Sequence, residues 1–185
     1  MEEHRVKDLM VPLSEYPTVP EDATLLEAVN ALEKAQEEFD ESRYRHRAIL
    51  VMGEDDKIIG KLTQLDVLKA LEPKYQQANK PHKGMTQYGF SRDFIELTFD
   101  ECCLWDTPLE DICQKVNQRQ VKEFMYMPTE GEYVTEETSL DTAIHQLILG
   151  GHQSLLVTRD DAITGILRLT DVFFVVFQII KECRL

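Results

Sequence analysis

Gly165-Ile166-Leu167-Arg168-Leu169-Thr170-Asp171, running straight into the apolar segment Val172 to Ile180, is the stretch that decides the fold. A glycine, a few strand formers, then a hydroxyl and a carboxylate ahead of an apolar helix describe a strand-to-helix corner. The free N–H groups at such a helix start attract anions, and a nearby carboxylate accepts hydrogen bonds from sugar hydroxyls. One corner is a weak signal. The chain holds a second, Gly60-Lys61-Leu62-Thr63-Gln64-Leu65-Asp66, followed by Val67-Leu68-Lys69-Ala70-Leu71.

The two corners belong to two copies of a longer unit. Val6-Lys7-Asp8-Leu9-Met10 matches Val121-Lys122-Glu123-Phe124-Met125 at a shift of 115 positions, and the same shift carries Thr24-Leu25 onto Ser139-Leu140 and Ala28 onto Ala143. At the corners the shift is 105, so the first copy carries a net insertion of ten residues, placed in the charged Glu33 to Ser42 region. Each copy predicts a short helical lead-in, stopped near Pro12 or Pro128, and then a brief strand at Thr18-Val19 or Tyr133-Val134-Thr135. Capping residues Thr24 and Thr138-Ser139 precede amphipathic helices with Leu25, Ala28, Val29 and Leu32, or Leu140, Ala143, Ile144 and Leu147, at helical spacing. Two strands joined by the turns Gly53 to Asp56 or Arg159 to Asp161 complete each copy before its final helix. The order is β-α-β-β-α, twice. The fold class is α/β (α+β), with repeats at 1–75 and 120–185 packed as one pseudo-symmetric domain, because neither copy alone covers its own sheet.

Residues 76–119 match neither copy. Gln76 to Gly89 reads as a loop, Phe94 to Phe99 alternates like a strand, and Leu109 to Val116 reads as a helix. Trp105 reads as a packing residue. A connection this long and apolar is expected to fold onto the repeats or cover a pocket.

A formal charge of −14 opposes general DNA or RNA binding, since no basic field is available to displace counterions. The longest apolar run, Val172 to Phe177, falls far short of the roughly 20 residues that span a bilayer, and no N-terminal leader pattern is visible. A cytoplasmic protein without membrane or nucleic-acid partners is expected. Cys102, Cys103, Cys113 and Cys183 show no paired metal-ligand spacing and are expected to be reduced thiols. No nucleophile motif, metal cluster or acid–base pair is apparent, so no catalysis is expected.

With a strand followed by G-h-h-(T/S)-x-x-D and a helix in each half, the chain resembles a pair of cystathionine-β-synthase (CBS) domains, the Bateman module, standing alone. The resemblance implies clefts between the paired repeats and, in many members, an adenosine-containing ligand such as AMP, ADP, ATP or S-adenosylmethionine, with no covalent cofactor. It assigns the ribose to the motif aspartates, Asp66 and Asp171, and the phosphate to Thr63. The second copy departs from the pattern: Arg168 stands in the Thr position and Thr170 lies one residue before the aspartate. That arginine either takes phosphate bidentately or fills the cleft and pairs with an acid. The resemblance also places Arg45 and Arg47 near the phosphates, with His152-Gln153 as their counterpart, and an adenine slot at Pro17, Thr18 and Val19 or at Tyr133 and Val134.

Each assignment has a structural alternative. Thr63 and Asp66 can be a capping box and no more. Arg45 and Arg47 can belong to a solvated ion network with Glu37, Glu38, Asp40 and Glu41, and the apolar strand residues can be core. Val172 to Ile180, apolar nearly all round, is buried by the linker or forms a homodimer surface. The expected function is a non-catalytic nucleotide sensor acting on a protein partner that the sequence does not identify. The alternative is a dimeric interaction scaffold with vestigial nucleotide sites.

Overall fold

The computed structural model describes residues 4–37, 45–72, 85–86, 89–90 and 112–182. In chain order, β1 (Val11–Pro12), β2 (Thr18–Pro20), α1 (Leu25–Glu37), β3 (Ala48–Met52), β4 (Ile58–Thr63) and α2 (Gln64–Leu71) form the first half. Next come β5 (Met85–Thr86), β6 (Gly89–Phe90) and α3 (Ile112–Gln118). The second half is β7 (Tyr133–Thr135), α4 (Leu140–Gly150), β8 (Ser154–Arg159), β9 (Ala162–Arg168) and α5 (Leu169–Glu182). The twofold β-α-β-β-α order expected from the repeat is therefore present.

Local chemistry sets the element ends. Thr24 and Glu27 form a capping box at the start of α1: the Thr24 N–H donates to Glu27 Oε2 at 2.7 Å and the Glu27 N–H to Thr24 Oγ1 at 3.2 Å. In the second copy the expected cap differs, because the Ser139 hydroxyl bonds the Thr142 hydroxyl at 3.0 Å and no backbone N–H. Gly151, at φ +62°, ends α4 in a left-handed turn in which the His152 N–H donates to the Leu147 carbonyl at 3.0 Å. Asp160 and Asp161, at φ 49° and 62°, form the two-residue turn between β8 and β9, where paired positive φ angles match the twist of a hairpin.

Each repeat builds a mixed sheet. β2 and β7 run parallel to β3 and β8 across the helical crossovers, and β4 and β9 return antiparallel, giving the orders β2-β3-β4 and β1-β9-β8-β7. Both faces of the central strands are buried. Ile49 and Val51 point into the core of the first repeat, and Leu155 and Val157 into that of the second. Leu50 and Leu156 point the other way and meet Val11, Tyr16 and Ile166 in a third cluster between the sheets.

The lead-ins cross over. Val6 is fully buried in the core of the second repeat and Val121 in that of the first. The backbone repeats this with the sequence shift: Val6 and Lys7 N–H donate to the carbonyls of Thr138 and Glu136, while Val121 and Lys122 N–H donate to those of Ala23 and Glu21. Burying each valine contributes about 1.5 kcal/mol or more, and the exchange ties the halves together. Here the motif glycines find a physical reason. A Cβ on Gly165 would stand 2.5 Å from the Val11 carbonyl oxygen, and one on Gly60 2.8 Å from Met125 Sδ and 3.2 Å from the Tyr126 carbonyl. Both glycines exist to let the crossing segment pass.

Between the repeats, the loop reading of Gln76 to Gly89 is modified by a short antiparallel hairpin, Met85 opposite Phe90 and Thr86 opposite Gly89. The expected helix near Leu109 to Val116 is α3, with Val116 packed on the first core. Trp105, the Phe94 to Phe99 segment, Cys102, Cys103, Cys183 and the insertion beyond Glu37 lie outside the described residues. Among the described residues, no helix is long and apolar enough to cross a membrane, and no group of three His, Cys, Asp or Glu could hold a metal ion.

Candidate functional site

A cavity of about 440 Å³ opens between the repeats, with both strand-to-helix corners on its wall. The chain reaches it by the same backbone device in each half. The N–H of Gln64, first in α2, donates to the Arg47 carbonyl at 3.2 Å, and that of Leu169, first in α5, to the Gln153 carbonyl at 3.0 Å. Each corner is thus fastened to the residue just before the first strand of its hairpin, β3 or β8. Arg45, Arg47 and His152 consequently share the wall with Thr63, Asp66, Arg168 and Thr170.

At the first corner Thr63 is the N-cap of α2. Its Oγ1 accepts from the Asp66 N–H at 3.2 Å, while Asp66 Oδ2 accepts from the Thr63 N–H at 3.0 Å and the Thr63 hydroxyl at 2.6 Å. The capping box anticipated as an alternative is therefore present. It does not exhaust the carboxylate: among the described residues, Oδ1 has only the Lys69 ammonium at 3.5 Å. A ligand role and a capping role coexist, because they use different oxygens.

At the second corner the carboxylate is paired within the motif itself. Arg168 Nε donates to Asp171 Oδ2 at 2.5 Å and Nη2 to Oδ1 at 2.6 Å, a two-pronged pairing that occupies both carboxylate oxygens. Both side chains are about nine-tenths buried. Of the two roles open to Arg168, the structure realises the pairing with an acid. Tyr16 packs nearby, edge-on to the ring of the buried His46 with centroids 4.6 Å apart. Burial pushes the Tyr16 hydroxyl up to about 12, with Arg168 pulling down and Asp171 pushing up in smaller measure.

Arg45 and Arg47 stand exposed on the cavity wall, and the Arg47 carbonyl is the group that fastens the first corner. His152 follows the left-handed turn at Gly151, and a Cβ on Gly150 would fall within 2.0 Å of its Nε2, so the ring lies over that glycine. Thr18, Val19, Tyr133 and Val134 do not line this cavity. Val19 and Val134 belong to the two repeat cores, Thr18 is half-buried in β2, and Tyr133 faces a separate cavity of about 740 Å³ beside Asp160 and Asp161. A strand residue with apolar neighbours on both sheet faces is taken up by the core before it can offer a ligand slot.

Three wall residues were not singled out in the sequence. Lys61, in β4, donates to Glu132 Oε2 at 2.5 Å, and Glu132 Oε1 accepts from the Tyr126 hydroxyl at 2.6 Å and the Thr129 N–H at 3.1 Å. The ion pair is almost wholly buried and joins the two repeats. Desolvation pushes the Glu132 carboxyl up, and the hydrogen bonds from Lys61, Tyr126 and Thr129 outweigh it, leaving the group below the usual glutamate range. One signal was available: Lys61 sits in an apolar strand at the position where the second copy has Ile166.

The sequence profile of the family described as CBS domain matches residues 6–73 and 121–177. No curated protein gives a significant match. CBSX2 from Arabidopsis thaliana is similar in structure, with 16% identity, 97% of this chain and 98% of that chain covered, and a TM-score of 0.60. CBSX2 in complex with AMP gives 17% identity, coverage of 95% and 98%, and a TM-score of 0.58. The CBS domain of the bacterial CNNM/CorC family Mg2+ transporter in complex with ATP gives 16% identity, coverage of 91% and 84%, and a TM-score of 0.56. At these identities the likeness is one of fold.

Proposed function

The chain belongs to the CBS-domain family, and from that premise we propose that it is a non-catalytic regulatory protein that binds one adenosine nucleotide per chain at the first corner. The observation carrying this reading is the unequal fate of the motif aspartates. Asp66 lines the cavity with one oxygen nearly uncommitted, whereas both oxygens of Asp171 are taken by Arg168. The ribose hydroxyls go to Asp66 Oδ1 and the phosphates toward Arg45 and Arg47, since both donors of Thr63 are held by Asp66 in the capping box. A cavity of this volume falls within the range that holds small-molecule ligands. AMP and ATP are what two of the similar structures contain. Regulation follows if the ligand prefers one arrangement of the two repeats, since differential affinity shifts the population.

We also propose that α5 is the association surface. Phe173 is 60% exposed and Ile180 62%, with Phe174, Phe177 and Ile179 also exposed, while Val172 is buried on the repeat core. Such a patch favours a homodimer. The internally paired second corner gives the scaffold reading its support, and nucleotide binding separates the two. Thermal unfolding should shift upward with AMP, ADP, ATP or S-adenosylmethionine, by an amount equivalent to about 2.7 kcal/mol when ligand is 100-fold above Kd. Asp66→Ala should abolish the shift and Asp171→Ala should leave it. A transition unmoved by millimolar amounts of all four ligands overturns the sensor reading in favour of the scaffold.

A further inference from the structure

The cavity wall carries four cationic side chains, Arg45, Arg47, Lys61 and Arg168, against two carboxylates, Asp66 and Glu132, among the described residues. In a chain of formal charge −14 this is a local reversal of sign. Arg168 is spent on Asp171. Lys61 is placed differently: its ammonium has three donors, of which one goes to Glu132, and the Tyr126 ring lies 5.2 Å away. Glu132 does not depend on Lys61 alone, since Tyr126 and Thr129 also donate to it.

The arrangement occurs in one half only. Where the first repeat pairs Lys61 with Tyr126, the pseudo-symmetric position pairs the apolar Ile166 with Val11. A buried ion pair is an expensive way to join two sheets, and an apolar pair does the same in the other half. The charged version occupies the half whose corner carboxylate keeps one oxygen nearly uncommitted.

We propose that Lys61 is the phosphate-sensing residue of the cavity, held by Glu132 of the second repeat when no anion is bound and shared with the ligand's phosphate when one is. The inference rests on the nucleotide reading above and deepens it. The phosphate and Glu132 compete for one ammonium. Occupancy of the first repeat is thereby felt at the 3-10 turn Glu130–Glu132 of the second.

Competition predicts opposite signs for the two halves of one ion pair, which a purely structural role does not produce. Binding of ATP, adenosine and pyrophosphate is measured by isothermal titration calorimetry on the wild type, Lys61→Met, Glu132→Gln and the double variant. Lys61→Met is expected to weaken ATP binding at least 10-fold. Glu132→Gln is expected to tighten it about threefold or more, and adenosine affinity stays within twofold throughout. The double variant removes both charges at once, so a buried carboxylate is not left unpaired, and it should match Lys61→Met. If ATP binds and the variants change ATP and adenosine alike, Lys61 is structural and the inference falls while the nucleotide reading stands. If no nucleotide binds but pyrophosphate does so in a Lys61-dependent way, the nucleotide reading falls and the anion site stands. If neither binds, both are overturned.

Discussion

Replacing Gly165 by alanine tests the central claim about the fold, that the motif glycines exist to let a crossing segment through. The new Cβ would stand 2.5 Å from the Val11 carbonyl oxygen and 3.1 Å from Met10 Sδ. Ordinary contact begins near 3.4 Å, so the Val11 backbone must retreat by about 0.9 Å. Val11 is fully buried against Leu50, Leu156 and Ile166. A gap of 0.5–1 Å forfeits roughly a quarter to a half of each contact's dispersion energy, and overpacking of this kind costs about 1–3 kcal/mol. Because the obstacle is backbone, we expect the upper part of that range, about 2–3 kcal/mol. Gly60→Ala is the internal control. Its closest neighbour is Met125 Sδ, the end of a flexible side chain, so the cost should be about 1 kcal/mol or slightly more. Denaturant unfolding monitored by circular dichroism gives both values, and Tm should fall by about 2–4 °C per kcal/mol at this chain length. A Gly165→Ala protein as stable as wild type, or less affected than Gly60→Ala, would refute the reasoning.

Three further outcomes follow from the site and the surface. Tyr16 has a folded pKa raised above its ordinary value, so its contribution is fully present below pH 10 and is lost as pH climbs toward 12. On the order of 2–3 kcal/mol rides on that interval, and Tyr16→Phe should flatten the alkaline limb of the stability profile. Arg168→Met leaves the buried Asp171 carboxylate without its two-pronged partner and should cost about 3 kcal/mol or more, and Arg168→Met/Asp171→Asn should recover much of it in the same unfolding assay. Paired Phe173→Glu and Phe177→Glu substitutions, on stacked rings 6.2 Å apart, should convert a dimer to a monomer in size-exclusion chromatography with light scattering, with little change in stability. A wild-type protein that is monomeric at every concentration tested would refute that assignment.

The sequence was most legible where local chemistry is strong. The internal shift of 115 positions located both helical lead-ins, and capping residues, turn aspartates and alternating strands located the elements around them, because these are set by neighbours a few residues away. The first corner was legible too, down to the Thr63–Asp66 capping box. The adenine slot that the resemblance implied has no such local signature: Val19 and Val134 pack in the cores of the two repeats and do not line the cavity between them. Lys61 and Glu132 were missed because their meaning lies in each other, 71 positions apart.

By itself, then, the sequence determined a duplicated β-α-β-β-α unit with a carboxylate at each strand-to-helix corner, since repeats and periodicity are properties of the chain read along its length. Only the tertiary structure decided that the lead-ins exchange places, and that Gly60 and Gly165 make room for them. It also decided that Arg168 takes both carboxylate oxygens of Asp171 while Asp66 keeps one oxygen nearly uncommitted. The exchange of the lead-ins depends on which atoms far apart in the chain come within a few ångströms of one another, and such close approach leaves no local trace in the order of the residues; the Arg168–Asp171 pair spans only three positions, and the sequence left it as one of two alternatives.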